Sequence, residues 1–151
     1  MSIERQYSSR RYAIVEALVE KLKLINGQYP YTTDVEGRVL GRKIFWDEIT
    51  EFPSISLTPG TESRDYQGGG YKDRYMAITI NCYVQQENSM EALEGLLEDI
   101  ETVLEENSRI AYKDRQGQTQ FTQQISILSI DTDEGVLDPL GVGEVICEVR
   151  Y

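Results

Sequence analysis

The sequence contains no histidine and only two cysteines. Without histidine it lacks the commonest general base, the usual partner of a nucleophilic serine or cysteine, and the commonest zinc ligand. Catalytic triads and ordinary zinc sites are thereby set aside. Cys82 and Cys147 are too far apart to form a Cys-x-x-Cys pair, so a thioredoxin-like motif or a thiolate metal site has no footing either. Each cysteine lies in an alternating stretch where a small apolar side chain suits a core position, which favours buried free thiols. Spacing alone does not decide whether two strands bring them together in a disulfide.

Long apolar runs are missing too. None approaches the roughly 20 residues needed to cross a bilayer, and Met1 to Tyr7 lacks the apolar centre of a signal peptide. The expectation is a soluble chain made in a cytoplasm, with no membrane partner. Basic residues are scarce: 15 against 26 acidic ones, for a net charge of -11. Such a surface repels phosphate backbones, which disfavours a nucleic-acid-binding role.

Three near-matches to ligand motifs fail on spacing. Gly37 to Lys43 resembles a phosphate loop, but its glycines are misplaced and Ile44 follows Lys43. Gly68-Gly69-Gly70 precedes a strand pattern, whereas a dinucleotide fingerprint opens a helix. Asp131 to Gly135 begins like a calcium loop, yet its glycine falls one place early and Val142 stands where glutamate is required. No cofactor, metal or catalytic residue is expected.

What is present fits one domain spanning residues 1–151, with 40% hydrophobic and 27% charged residues. Between Ser9 and Asn26, apolar residues from Tyr12 to Ile25 recur at steps of three and four, predicting a helix that Asn26-Gly27 stops. A polar excursion from Gln28 to Lys43 follows, with a short strand near 38–46 and with Tyr29 and Tyr31 placed to cover a core edge. Ile55 and Leu57 form a short strand flanked by Pro53 and Pro59, and Gly60 to Asp73 reads as a loop. Tyr75 to Val84 alternates as a strand. Asn88 then caps a second helix with an apolar stripe from Leu93 to Leu104. After a polar connector, Asn107 to Thr122, come a strand through Ile125, Ile127 and Ile130, irregular at Leu128, a break at Gly135 to Gly143, and a last strand, Val145 to Tyr151. The order α-β-β-α-β-β, plus the extra short strand, predicts an α+β domain: a mainly antiparallel sheet with two helices packed against it.

The second helix carries a one-sign polar face. Glu87, Glu91, Glu94, Glu98, Asp99, Glu101, Glu105 and Glu106 occur between residues 87 and 108 with no lysine or arginine among them. Glu94 with Glu98 and Glu101 with Glu105 are like-charge pairs one turn apart, each costing roughly 0.2 to 0.5 kcal/mol. The face is either simply solvated or used, against a basic partner or as the wall of a passage through which DNA slides without sticking. Arg5, Arg10, Arg11, Lys21 and Lys23 in and before the first helix are basic complements available in a neighbouring subunit.

The arrangement resembles the tail terminator, or tail completion, family of long-tailed bacteriophages. The likeness rests on the amphipathic helix Tyr12 to Ile25, the run Phe52 to Glu62 leading through a polar loop into the strand Tyr75 to Val84, the helix Met90 to Leu104, and the closing strand Gly143 to Tyr151. It implies a structural virion protein, not an enzyme: a homohexameric ring at the head-proximal end of the tail. There it would cap the tail tube, stop its polymerisation and offer a docking surface for the head connector. Partners implied are other copies of the chain, the tail tube protein, the head-tail connector, the sheath where the tail is contractile, and DNA only in passage.

Contacts are expected in the Gly60 to Asp73 loop, the Asn107 to Thr122 connector and a sheet edge near Val145 to Tyr151. The candidate side chains are Arg64, Tyr66, Tyr71, Lys72, Arg109, Tyr112, Arg115 and Tyr151. Glu94, Glu98, Glu101 and Glu105 form the candidate lumen surface. Open alternatives are another neck or head-completion protein, and a small hydrolase working with carboxylates alone, as on glycosides.

Overall fold

The computed structural model describes residues 9–151, which leaves Arg5 outside the described residues. Its first element, helix α1 (Arg10–Leu22), starts where the Ser9 hydroxyl accepts a hydrogen bond from the Tyr12 amide at 3.2 Å, satisfying one donor of a helix start. Ile14, Val15, Leu18, Val19 and Leu22 form its buried face. The helix ends four residues before the expected Asn26, and the chain turns through Lys23 and Leu24 with Ile25 still buried. Gly27 does adopt the left-handed conformation, at φ 78°. Of the two tyrosines expected to cover a core edge, Tyr31 packs against the core while Tyr29 is 99% exposed.

Seven strands follow: β1 (Val39–Leu40), β2 (Ser54–Tyr66), β3 (Lys72–Gln85), β4 (Ala111–Lys113), β5 (Thr119–Phe121), β6 (Gln124–Thr132) and β7 (Leu140–Arg150). Helix α2 (Ser89–Glu106) lies between β3 and β4. The main sheet has the order β1-β2-β3-β7-β6, antiparallel throughout except for the short parallel pair β1–β2, and β4 and β5 pair by themselves as a hairpin. The fold is α+β, as expected.

Both helices cover one sheet face, α1 toward β1 and β2, α2 toward β3, β7 and β6. On that face Met76, Ile78, Ile80, Cys82 and Val84 of β3 meet Val145, Cys147 and Val149 of β7, and Leu93, Leu96, Leu97 and Ile100 of α2 close the core. Each such side chain contributes about 1.5 to 3 kcal/mol by leaving water, enough to outweigh the helix penalty of Gly95 at about 1 kcal/mol. Asn88 caps α2 as expected: its side chain accepts from the Glu91 amide and donates to the Glu91 carboxylate at 2.9 Å. Asp138 adds a second clasp, accepting from the Ser89 amide at 3.1 Å and the Ser89 hydroxyl at 2.5 Å.

Three stretches differ from expectation, the first being the Asn107 to Thr122 connector, which folds as the β4–β5 hairpin. Gly60 to Asp73 is no loop: β2 runs on to Tyr66 and β3 begins at Lys72, so the pair extends as a two-stranded arm with its turn at 67–71. Pro59 sits within β2 at an irregularity between Pro59 and Glu62, tolerated because β1 covers only Ile55 and Ser56 and leaves β2 a sheet edge there. Gly141 and Gly143 do not break the chain either. They lie inside β7, where a Cβ on Gly141 would come 2.7 Å from Val84 Cγ2 and one on Gly143 would come 2.9 Å from Cys82 Sγ. The glycines let α2 and the Val84 and Cys82 side chains of β3 approach β7 closely. The irregularity at Leu128 is a register shift between Ile127 and Ser129.

Candidate interface surfaces

Among the described residues no group of three or more His, Cys, Asp or Glu side chains is placed to hold a metal ion. The two cysteines are free and buried, and burial pushes both thiols up to about 12. Neither is a nucleophile at neutral pH. The sites that remain are surfaces.

The arm carries the first of them. Because side chains alternate along a strand and paired residues share a side, Arg64 and Tyr66 of β2 point the same way as Arg74 and Lys72 of β3. That side continues the helix-covered face, since Glu62, two residues earlier, pairs with the buried Met76. At the arm's base, burial alone would raise the Glu62 carboxyl; hydrogen bonds from Tyr151 and Arg64, and the charges of Arg64 and Arg11, carry it below the usual carboxylate range. Arg64 Nε lies 2.7 Å from Glu62, and Arg11 Nε 3.8 Å. On the opposite side Asp73 holds Arg150 at 2.9 Å.

The expected contact residues divide. Tyr66 and Tyr71 stand 70% and 76% exposed at the arm tip, with Arg64 and Lys72 also exposed. Arg109 is exposed with its guanidinium 4.7 Å from the Phe121 ring centroid, and Arg115 is exposed in the β4–β5 turn. Tyr112 and Tyr151 are instead 4% and 5% exposed. They fasten the fold: Arg10 Nε donates to the Tyr112 hydroxyl at 2.8 Å, and the Tyr151 ring lies between Arg10 and Arg74, at 5.2 and 5.7 Å from their guanidinium carbons. The sheet edge expected near Val145 to Tyr151 is not one, because β7 runs between β3 and β6. The edges are β6, and β2 beyond its short pairing with β1. Arg74 is not among the expected contact residues; the spacing Arg64-x-Tyr66 and Lys72-x-Arg74, legible as one strand face, is the signal that carries it.

The second surface is the polar face of α2. Glu94, Glu98 and Glu105 are exposed and Glu101 half-buried, and none of them has an ion pair among the described residues. Asp99 leaves this face. It is 2% exposed and turns toward the polar excursion, accepting from the Thr33 amide at 2.7 Å and the Thr32 amide at 3.1 Å. At the N-terminal end of α2 the exposed Met90 lies beside the β6–β7 turn, which carries the exposed Val136. A third patch, Phe45 and Trp46, flanks a pocket of about 330 Å³ that opens on Thr79, Asn81 and Glu144 of the sheet face away from the helices.

Comparison with known proteins narrows what these surfaces serve. A family model described as Bacteriophage Tail Tube Terminator Protein matches residues 8–151. Tail tube terminator protein p142 of Escherichia phage T5 is 32% identical over 150 residues, an alignment covering 93% of this chain and 92% of that protein. A chain in the solved virion of native gene transfer agent (GTA) particle superposes with a TM-score of 0.59 at 10% identity, covering 91% of this chain and 93% of that one. At that identity the superposition speaks for the fold.

Proposed function

The chain belongs to the bacteriophage tail tube terminator family, and we propose that copies of it close into a hexameric ring on the head-proximal end of the tail tube. It is a structural component of the virion tail, not an enzyme, and the carboxylate-hydrolase alternative falls away. The ring stops tube polymerisation and presents a surface on which the head connector docks. The observation that carries this reading is the match to a tail tube terminator along nearly the whole chain.

Physical chemistry supports a capping role. A tube grows by head-to-tail contacts that never close on themselves, so a ring that fits one end and offers no copy of that end halts growth. Closing such a ring requires two unlike patches on each subunit. The cationic side of the tyrosine-tipped arm and the acidic face of α2 are unlike in charge and lie on different elements. Partners on this reading are further copies, the tail tube protein and the connector, with sheath where the tail contracts. DNA passes through without binding.

Electron microscopy of the purified chain, alone and mixed with tail tubes, tests the proposal. Rings, and rings seated on one tube end, are the expected images. Particles that remain single and ignore tube ends overturn it, and attachment to filled heads without tails assigns the chain to head completion.

A further inference from the structure

Resting on the ring reading, we propose that ring closure is made by the arm of one copy lying across the α2 face of the next. Strand alternation sorts the arm's charges. Arg64, Lys72 and Arg74 fall on one side, while Asp65 and Asp73 fall on the other. Glu62, the carboxylate on the cationic side, is already shared by Arg64 and Arg11. An excess of positive charge therefore stays on that face, in a chain whose net charge of -11 otherwise sets its copies to repel one another.

The complement is on α2. Glu94, Glu98 and Glu105 project from one side of the helix without a cation among the described residues, at a cost of roughly 0.2 to 0.5 kcal/mol per like-charge pair in the isolated subunit. Charge is not the only match. The arm tip ends in exposed Tyr66 and Tyr71, and the acidic face is bordered at its N-terminal end by exposed Met90 and by Val136 of the adjacent turn, which give tyrosine rings apolar surface to cover.

Placement within the fold makes the contact one between copies. The arm prolongs β2 and β3, α2 packs on β3, β7 and the β6 edge, and no ion pair among the described residues joins the arm to α2 within one copy. Two complementary patches that do not pair with each other within one subunit give a heterologous contact that repeats around a ring. On this arrangement α2 faces a neighbour and not the lumen.

Charge exchange tests it, read by sedimentation and electron microscopy with and without tail tubes. The chain with Glu94→Lys, Glu98→Lys and Glu105→Lys, and the chain with Arg64→Glu and Lys72→Glu, should each need at least about tenfold more protein to half-assemble. A chain carrying both sets should regain rings, since the attraction returns with its signs reversed. Lys72→Glu with Tyr71→Ala replaces the second variant if losing the Arg64–Glu62 bond disturbs folding by circular dichroism. Rings unaffected by the α2 changes, including rings that assemble normally but retard DNA, overturn the inference and leave the ring standing; so does failure of the doubly exchanged chain to recover. An unaltered chain that forms no ring on tubes or alone sinks the ring reading, and this inference with it.

Discussion

Replacing Asp99 by alanine removes the acceptor that holds the Thr32 and Thr33 amides against α2. Because hydrogen bonds to a charged acceptor are worth about 1.5 to 3 kcal/mol and a buried donor left unpaired is costly, we expect a loss of about 3 kcal/mol in urea unfolding. Glutamates 94, 98 and 105 on the same helix should show nothing comparable. Gly143→Ala pushes a methyl group to 2.9 Å from Cys82 Sγ and 3.0 Å from Leu93 Cδ1, and should cost about 1 to 3 kcal/mol in the same assay. The thiols set a pH limit. Their ordinary value is 9.0 and burial lifts them to about 12, so between those values the unfolded chain sheds protons that the folded chain keeps. Their contribution to stability is whole below pH 9 and disappears as pH climbs through about 12. Thermal midpoints followed over that range should fall, and less steeply in a Cys82→Ala, Cys147→Ala chain.

Among the elements, α2 gives the clearest separation of folding from use. Changing Glu94, Glu98 and Glu101 to glutamine relieves like-charge repulsion and should leave the thermal midpoint unchanged or slightly raised. A sharp fall would mean that these carboxylates have structural partners. The helices were legible in the sequence because one buried face writes a period near 3.6 into the chain, and β3 and β7 because one covered face writes a period of two. The arm was not, for a physical reason: beyond Glu62 both of its faces meet solvent, so Ser63 to Tyr66 and Lys72 to Arg74 carry no apolar alternation to read. Gly141 and Gly143 misled in the opposite sense, signalling a break where they serve close packing. Of the candidate contacts, the exposed tyrosines could be picked out by composition. The burial of Tyr112 and Tyr151 depends on Arg10 and Glu62, remote in sequence, and no local pattern announces such partners.

For the molecule as a whole, polarity of charge outweighs its sum. A uniformly acidic subunit would assemble more readily as salt rises, because repulsion is screened; one joined through opposite patches should assemble less readily. Sedimentation of the unaltered chain from low salt to about 0.5 M therefore reports the sign of the interaction directly, with weakening expected. The strand order adds a consequence in time. β7 comes after every other strand in the chain, yet it lies between β3 and β6 and supplies the middle of the bed on which α2 rests. While a ribosome has not yet released residues 140–150, β3 and β6 have nothing to join them, and the sheet is two fragments. Translation that halts before β7 thus yields a chain that cannot complete its sheet, and no partly made copy carries the surfaces of the finished fold.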